Sequence, residues 1–179
     1  FPYIVLDVDR AEADDIIAVI CKEYSSMEKI LILSNDKDFK QLQKFKNVKQ
    51  YSCIKKDFLI CEDPSSFLVD HIVRGDVSDG IPNILSDDDT FVVKTKRQKR
   101  LTKAVISDIV ETYKMTGSPP DYCLDGWKRN EKLIDLDSIP VIIQEEIIKR
   151  YQNNSHGDRS KILNYMIEHR LKNLIRNLE

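Results

Sequence analysis

Two short apolar runs near the start of this 179-residue chain do most to constrain its fold. They lie at 3–8 (YIVLDV) and 29–34 (KILILS), and an amphipathic helical pattern over 12–24 separates them. Strands that are apolar on both faces are typical of parallel sheets, in which helices cover both sides. The spacing therefore predicts a strand–helix–strand unit with a right-handed crossover.

The pattern changes from α/β to helical near residue 64. Before it, we predict a short helix over 38–45, a strand over 48–52 and an edge hairpin over 57–61. After it, we predict a helix that is capped by Ser65 or Ser66 and stops at Gly75, then helices over 102–115, 140–152 (capped by Ser138) and 159–178. The expected fold class is α/β: the second half of a parallel sheet over 1–63, followed by an α-helical domain over 64–179.

Composition limits the classes of function that the chain can serve. The four cysteines form no C-x-x-C pair and the three histidines show no metal-ligand spacing, so neither a disulfide framework nor a zinc site is expected. No stretch approaches the ~20 apolar residues of a membrane span, so we expect no membrane partner. Trp127 is expected to pack in a core. The start at Phe1, directly before a strand pattern, suggests a piece of a longer protein.

Acidic residues occur in three groups, two of which follow the predicted first and second strands. Ligands collect at the carboxyl ends of the strands in an open parallel sheet. Crowded carboxylates there favour a hard divalent cation such as Mg²⁺ or Mn²⁺. The candidate metal ligands are Glu12, Asp14, Asp15, Asp36, Asp38, Asp76 and Asp79.

Each acidic group also has a structural explanation. The first could favour a helix N-terminus, the second could form a turn and a cap, and the third could lie on a helix surface. Asp7 and Asp9 after the first strand hint at a haloacid-dehalogenase-type phosphatase, but Arg10 follows directly, and we interpret both as structural. The order and spacing of all three groups favour a site.

Three motifs carry a resemblance to a known family: EADD at 12–15, SNDKDF at 34–39 and GDVSDGIPNI at 75–84. Together they resemble the 5′-nuclease (flap endonuclease) superfamily, and within it the ribonuclease H family of T-even-type phages. The resemblance covers 1–85 closely and the helical remainder loosely. It implies a PIN-like sheet followed by a helix–hairpin–helix-like (helix-3-turn-helix) module that grips duplex backbone.

The resemblance also implies roles for the acids. Glu12 and Asp14 match the first metal site with Asp15 beside them, and Asp36 matches the centre of the site. Asp38, Asp76 and Asp79 match the side of the second metal. The implied chemistry is two-metal phosphodiester hydrolysis with two Mg²⁺ ions, or Mn²⁺ as substitute, and with Asp36, Asp14 and Glu12 as catalytic residues.

The chain departs from the family pattern in two respects. Gly80 stands where the motif has Asn, and Asn83 stands where the motif has its final Gly. Asn tolerates a left-handed conformation, so the hairpin can still form with Asn83 at that position. Family members also carry a preceding half with two further metal-binding aspartates and a helical arch. We therefore expect this chain to lack part of the first metal site.

A basic cluster follows the third motif. Without the seven candidate ligands the chain is net basic, although its formal charge is −2. The cluster is interpreted either as a solvated loop or as a segment that contacts phosphates, with Gly75 and Gly80 in the hairpin beside it. Its members are Lys94, Lys96, Arg97, Lys99, Arg100 and Lys103.

The function expected from the resemblance is a 5′-3′ exonuclease and flap endonuclease of the ribonuclease H type. It would remove RNA primers and adjacent DNA during phage DNA replication, in the cytoplasm of the infected bacterial cell. Its partners would be RNA–DNA hybrid, duplex or flap DNA, a sliding clamp and a single-strand-binding protein. The alternatives are an inactive, structure-selective DNA-binding fragment and the 5′-nuclease domain of a DNA polymerase I.

Overall fold

The computed structural model describes residues 3–154 and 161–176. Seven α-helices lie in these ranges: α1 (Ala13–Tyr24), α2 (Pro64–Arg74), α3 (Lys103–Thr116), α4 (Leu124–Ile134), α5 (Val141–Asn153), α6 (Ile162–Glu168) and α7 (Lys172–Ile175). The strands are β1 (Ile30–Leu33), β2 (Val48–Ser52) and β3 (Asp57–Leu59), and 3₁₀ helices cover Asp38–Lys44 and Asp121–Cys123. Among the described helices, none combines the length and the apolar character needed to cross a bilayer.

The three strands form one sheet in the order β1-β2-β3. β1 pairs with β2 in parallel, with Ile30 opposite Val48, and β2 pairs with β3 as an antiparallel hairpin. These pairings confirm the predicted strands at 29–34, 48–52 and 57–61. α1 and the 3₁₀ helix over 38–44 pack against the sheet around Ile32 and Leu42.

α5 also belongs to the core of the sheet. Ile139 and Ile147 are buried in one cluster with residues of α1, β1 and β2. The chain therefore returns to its first sixty residues after passing through α2, α3 and α4. The division into domains at residues 63 and 64 stays a prediction.

The strand predicted over 3–8 is not present. Residues 4–8 have no regular secondary structure, and Val8 is the only buried residue of the run. A strand needs a neighbour for its backbone donors and acceptors, and β1 pairs only with β2 among the described residues. The apolar pattern of this segment is strand-like, but the prediction that it forms a strand was wrong.

Three predicted helix caps or boundaries also differ from the structure. The N-cap residue of α5 is Pro140 rather than Ser138. α2 is capped by Asp63, whose Oδ1 accepts a hydrogen bond from Ser66 N at 2.9 Å, rather than by a serine. Pro64 at the first helical position moves the cap back to the residue before it. The last predicted helix is broken at Arg170, which has φ of 55°, so α6 and α7 are separate. The two ends of that prediction, 159–160 and 177–178, lie outside the described residues.

The sequence pattern did not reveal α4, which builds the second core. Trp127 on α4 is 2% exposed and stacks on Tyr113 of α3 with ring centroids 4.6 Å apart, which confirms its packing role. Gly126 lies against the backbone of residue 84, where an added Cβ would meet Ile84 O at 1.9 Å. The glycine that weakened the helical pattern is thus the residue that allows this helix to pack.

Two polar side chains of α4 fix the segment 82–86. Asn130 is fully buried and its Nδ2 donates to the carbonyls of Ile72 and Pro82 at 2.8 and 2.9 Å. Arg129 donates to the carbonyls of residues 82, 83 and 86. Buried carbonyls must find donors, and α4 supplies them here.

We expect Gly126→Ala to destabilise the protein by about 1–3 kcal/mol, as overpacking does. Alanine is intrinsically about 1 kcal/mol better than glycine in a helix, so a loss of stability isolates the contact with Ile84. Urea unfolding measures the difference. Lys128→Ala, at an exposed position of the same helix, is the control and should change the free energy of unfolding by less than about 0.5 kcal/mol. A stabilised Gly126→Ala would contradict the packing described for α4.

Candidate functional site

The turn after β1 presents two aspartates. Ser34 Oγ accepts from Asp36 N at 3.1 Å, and Asp36 Oδ1 accepts from Asp38 N at 3.0 Å. The buried Gln50 side chain of β2 donates to the carbonyls of residues 34 and 36. This turn is fixed by side-chain hydrogen bonds and leaves Asp36 exposed and Asp38 half-buried.

The third motif forms a tight hairpin rather than a helical turn. Ile81 N donates to Asp76 O at 2.7 Å, and Gly75 has φ of 69° with no room for a Cβ against Ile81 and Pro82. Asp76 points inward and is 3% exposed, whereas Asp79 is exposed. The chain reverses direction between them, so the two acids do not lie on a helix surface, which was the structural alternative for this group.

His71 lies between the half-buried carboxylate of Asp38 and the buried carboxylate of Asp76. Its Nε2 is 3.2 Å from Asp76 Oδ2, and its Nδ1 is 3.4 Å from Asp38 Oδ1. In the part of the chain that the structure describes, these three residues form the group whose ligand atoms, all within 4.8 Å of one another, could hold a metal ion. Sequence reasoning missed His71, because its partners come from two other segments and no ligand spacing marks it.

The pKa of Asp76 is held well below its usual value. Burial opposes ionisation, but hydrogen bonds from Lys37, Ser78 and His71 outweigh it. Lys37 Nζ is 2.8 Å from Asp76 Oδ2, and this hydrogen bond in turn raises the pKa of Lys37. Asp76 is therefore a carboxylate at neutral pH with its charge compensated on one side.

Asp38 is in the opposite electrostatic situation. Burial raises its pKa to about 6; His71 lowers it, and Asp36 and Asp76 raise it further. Asp38 Oδ1 and His71 Nδ1 are both buried and have no hydrogen-bond partner among the described residues, although they lie close together. These two atoms, together with the ionised carboxylate of Asp76, form a donor set that fits a divalent cation.

The acids at the start of α1 lie in a helix cap. Glu12 N donates to Asp15 Oδ2 at 3.0 Å, and Asp15 N donates to Asp14 Oδ1 at 3.1 Å. These hydrogen bonds stabilise the N-terminus of α1, as one of the structural explanations expected. Among the described residues, these acids are not part of the group around His71. The assignment of Glu12, Asp14, Asp15, Asp36 and Asp79 as metal ligands stays a prediction.

Two members of the basic cluster form ion pairs with acidic residues that precede the cluster, and the other four do not. Lys96 Nζ pairs with Asp89 at 2.5 Å and with Asp87 at 3.3 Å, and Lys99 Nζ pairs with Asp87 at 3.3 Å. The other basic residues of the cluster are exposed and have no ion pair among the described residues. They are Lys94, Arg97, Arg100 and Lys103.

Asn83 has a role that the sequence did not show. Its φ is not positive, so it does not replace glycine by adopting a left-handed conformation. Its side chain is 5% exposed, donates to Lys99 O at 2.9 Å and accepts from Ser86 Oγ at 2.9 Å. Asn83 therefore connects Lys99, a member of the basic cluster, to the hairpin over 75–84.

Comparison with solved structures identifies the class of fold. A point mutant of the T5 5′-exonuclease has a TM-score of 0.53 at 19% identity, over 79% of this chain and 64% of that one. The T5 D15 protein co-crystallised with metal ions has a TM-score of 0.54 at 18% identity, over 84% of this chain and 60% of that one. The fold is therefore similar to that of a phage 5′-exonuclease, a member of the 5′-nuclease superfamily.

The particular family follows from the sequence. Residues 64–179 match the family described as T4 RNase H, C terminal, and the chain belongs to this family. The Ribonuclease H of Enterobacteria phage T4 is 33% identical over 187 residues, which include 99% of this chain and 60% of that protein. The chain spans about 60% of the length of this relative. The family resemblance drawn from the three motifs is confirmed.

We expect Asp38→Asn to stabilise the metal-free protein at neutral pH. Asp38 has a pKa of about 6 when folded, against about 3.9 when unfolded, so ionisation opposes folding as the pH rises from about 4 to about 6. The resulting loss in the free energy of unfolding is absent below pH 4, complete above pH 6 and on the order of 2 kcal/mol. With a chelator present, the melting temperature of the variant should exceed that of the wild type by roughly 4–8 °C at pH 7.5 and by none at pH 4.

Asp36→Asn is the matched control, because Asp36 is exposed and an asparagine oxygen can still accept from Asp38 N. It should leave the melting temperature within about 1 °C at both pH values. An Asp38→Asn variant that is less stable than the wild type at pH 7.5 would show that the Asp38 carboxylate is compensated in the folded chain.

Proposed function

We propose that this chain carries the carboxyl-terminal part of a metal-dependent 5′-3′ nuclease that hydrolyses phosphodiester bonds. The observation that carries the proposal is the group Asp38–His71–Asp76, at the end of β1 where a parallel sheet binds its ligands. Membership of the T4 RNase H family supports the class of reaction. The names of the similar proteins, a ribonuclease H and a 5′-exonuclease, support nucleic acid as substrate.

The three residues of the group would hold one divalent cation, Mg²⁺ or Mn²⁺. When bound, such a cation supplies Lewis-acid activation of water and neutralises charge on phosphate. Asp76 offers a carboxylate that is already ionised, while Asp38 loses its proton near pH 6. Asp36 lies exposed in the same turn, where it can act as a further metal ligand or accept a proton from a water molecule.

Lys37 and His71 orient the carboxylates. Lys37 Nζ and His71 Nε2 both lie within hydrogen-bond distance of Asp76 Oδ2, and Ser78 N donates to Oδ1 at 2.9 Å. This arrangement fixes the direction of both oxygens before a ligand arrives. The exposed ammonium of Lys37 is also placed to meet a phosphate that approaches the acids.

The hairpin and the basic segment provide the proposed nucleic-acid surface. Gly80 has φ of 74° and no neighbour within 4 Å of its missing Cβ, so its backbone is open to a phosphate group. Gly75, by contrast, is needed for the turn itself. α2, this hairpin and α3 follow one another in the order that a helix–hairpin–helix-like module would have. The basic residues without an ion pair among the described residues lie on the loop before α3 and at its first residue, Lys103.

The biological role that we propose is removal of RNA primers and adjacent DNA during phage DNA replication. The substrates would be RNA–DNA hybrid and flap or duplex DNA. A sliding clamp and a single-strand-binding protein are the proposed partners. The family assignment supports this role, together with the phage origin of the relatives.

A second candidate function is a DNA-binding fragment without activity of its own. The observation that favours it is that Glu12, Asp14 and Asp15 cap α1 and are not part of the group around His71. Such a fragment would bind duplex ends through the basic segment and leave hydrolysis to a complete site.

Single-turnover cleavage of a 5′-labelled flap and of an RNA–DNA hybrid tests the proposed function. We expect product with Mg²⁺ or Mn²⁺ and roughly 100-fold less with Asp38→Asn, because one ligand and its charge are removed. Isothermal titration with Mn²⁺ measures binding separately. Asp57→Asn, an exposed aspartate on β3, is the control and should cleave at the wild-type rate.

The outcomes separate the two candidates. Duplex binding without cleavage in the wild type would favour the binding fragment. Cleavage that persists in Asp38→Asn would contradict the assignment of the site, and Mn²⁺ binding that is equal in wild type and variant would contradict the ligand set.

The salt dependence of duplex binding tests the basic segment. We expect Lys94→Gln/Arg97→Gln to reduce the slope of log K against log salt by about 0.9 for each phosphate that these side chains neutralise. Lys29→Gln/Lys46→Gln removes the same charge at the amino ends of β1 and β2, away from the site, and is the control. Equal effects of the two pairs would indicate that only net charge matters.

A further inference from the structure

The carboxylate of Asp76 is fully engaged by donors of the protein itself. Its Oδ2 receives the ammonium of Lys37 at 2.8 Å and His71 Nε2 at 3.2 Å. Its Oδ1 accepts hydrogen bonds from Ser78 N at 2.9 Å and from Ser78 Oγ. A carboxylate offers about four lone-pair positions, so a metal ion could bind Asp76 only by displacing one of these donors.

The ligand atoms that the protein leaves without a partner lie at the other nitrogen of His71. Because an ionised carboxylate can only accept, His71 Nε2 carries the hydrogen that it shares with Asp76, and a neutral imidazole then has its lone pair on Nδ1. Nδ1 and Asp38 Oδ1 are 3.4 Å apart, and neither has a hydrogen-bond partner among the described residues. These two atoms supply one cation position, which Asp76 supports through the imidazole as carboxylates support metal-binding histidines.

Lys37 is held where its ammonium reaches Asp76. It directly precedes the 3₁₀ helix over 38–44, in the turn that hydrogen bonds fix after β1. Asp38 and Asp79 attract the ammonium in addition to Asp76. The Lys37 side chain is 51% exposed and that of Asp76 is 4% exposed, so the lysine covers the outer side of the carboxylate. A group attached to the same fold acts at an effective concentration on the order of millimolar or more, which a free ion must exceed to displace it.

The charges of this group favour one divalent cation over two. The carboxylates of Asp38 and Asp76 and the ammonium of Lys37 together carry a net charge of −1. One divalent cation reverses this charge to +1, which attracts a phosphate. A second cation would add two further positive charges next to a lysine that already compensates Asp76, and like charges at such short range repel strongly.

We propose that the ammonium of Lys37 takes the place of one of the two divalent cations that the family resemblance implies, so that this group binds a single divalent cation at Asp38 and His71 Nδ1. Lys37 neutralises Asp76 and contacts the phosphate that a second ion would otherwise contact. The inference rests on the proposed nuclease function and specifies how its metal group is built. Lys37 is then the residue that sets the number of ions.

Titration of Lys37→Met with Mn²⁺ tests the proposal. The methionine keeps most of the length of the side chain and removes its charge. Calorimetry should show one more equivalent of Mn²⁺ bound by Lys37→Met than by the wild type, because Asp76 then lacks a cation. The EPR signal should change from the hyperfine pattern of isolated ions to that of a coupled pair, because ions that share such a site lie about 3.5–4 Å apart.

Thermal unfolding gives a second readout, which stays informative if Lys37→Met is less stable than the wild type. With a chelator, the melting temperature of the variant should be roughly 4–8 °C lower, because a buried carboxylate loses its partner. Saturating Mn²⁺ should remove most of this difference, because the additional ion replaces the ammonium. A deficit that Mn²⁺ does not reduce would mean that the lysine is only structural.

Two variants serve as controls. Lys37→Arg keeps the positive charge, so it should bind as many equivalents of Mn²⁺ as the wild type and show the EPR signal of isolated ions. Lys46→Met removes an exposed lysine just before β2, at the end of the sheet away from the site. It should behave like the wild type in all three measurements.

Three binding results would overturn the proposal: a coupled pair of Mn²⁺ ions in the wild type, no additional equivalent in Lys37→Met, or an equal gain in Lys46→Met. None of these measurements needs nuclease activity. A wild type that binds one isolated ion in the group but cleaves no substrate would therefore count against the proposed function alone.

Discussion

The packing of α4 against the hairpin over 75–84 is the constraint on which the rest of the site depends. The hairpin turns several carbonyls inward, and Asn130 and Arg129 supply their donors. Gly126 lets the helix come close enough for these hydrogen bonds to form. Because Asn130 binds both α2 and the hairpin, Asp76 is held at a set distance from His71. The geometry of the candidate metal group is therefore a consequence of hydrogen bonds from a helix that lies far along the chain from the acids.

The carboxyl groups of Asp76 and Asp38 differ in pKa because their environments differ. Asp76 is surrounded by donors and ionises readily, whereas Asp38 faces two acids and an unpartnered imidazole nitrogen. Such an arrangement costs stability in the absence of a cation, and that cost is the usual property of a binding site. A cation would relieve it by occupying the unpartnered atoms.

β1 leads directly from the sheet into the site. Its carboxyl end continues into the turn that carries Asp36 and Asp38. Its other edge, which pairs with no strand among the described residues, borders an apolar groove lined by residues such as Ile4, Ile16 and Leu31. The acids therefore lie where the parallel strands of such a sheet end and where its ligands bind.

The sequence by itself determined the elements whose signals are local. The apolar runs of β1 and β2, the helical period of α1 and the glycines at 75 and 117 placed these elements, and the motif acids identified the family. Only the tertiary structure decided which acids meet, that His71 joins them, that Asp79 points outward and that Lys96 and Lys99 pair with Asp87. It also decided that 3–8 forms no strand and that α4 forms despite Gly126. The physical reason is the separation along the sequence of the residues that interact. Periodicity depends on neighbouring residues, whereas hydrogen bonds, burial and charge compensation in this site depend on segments that are distant in the chain.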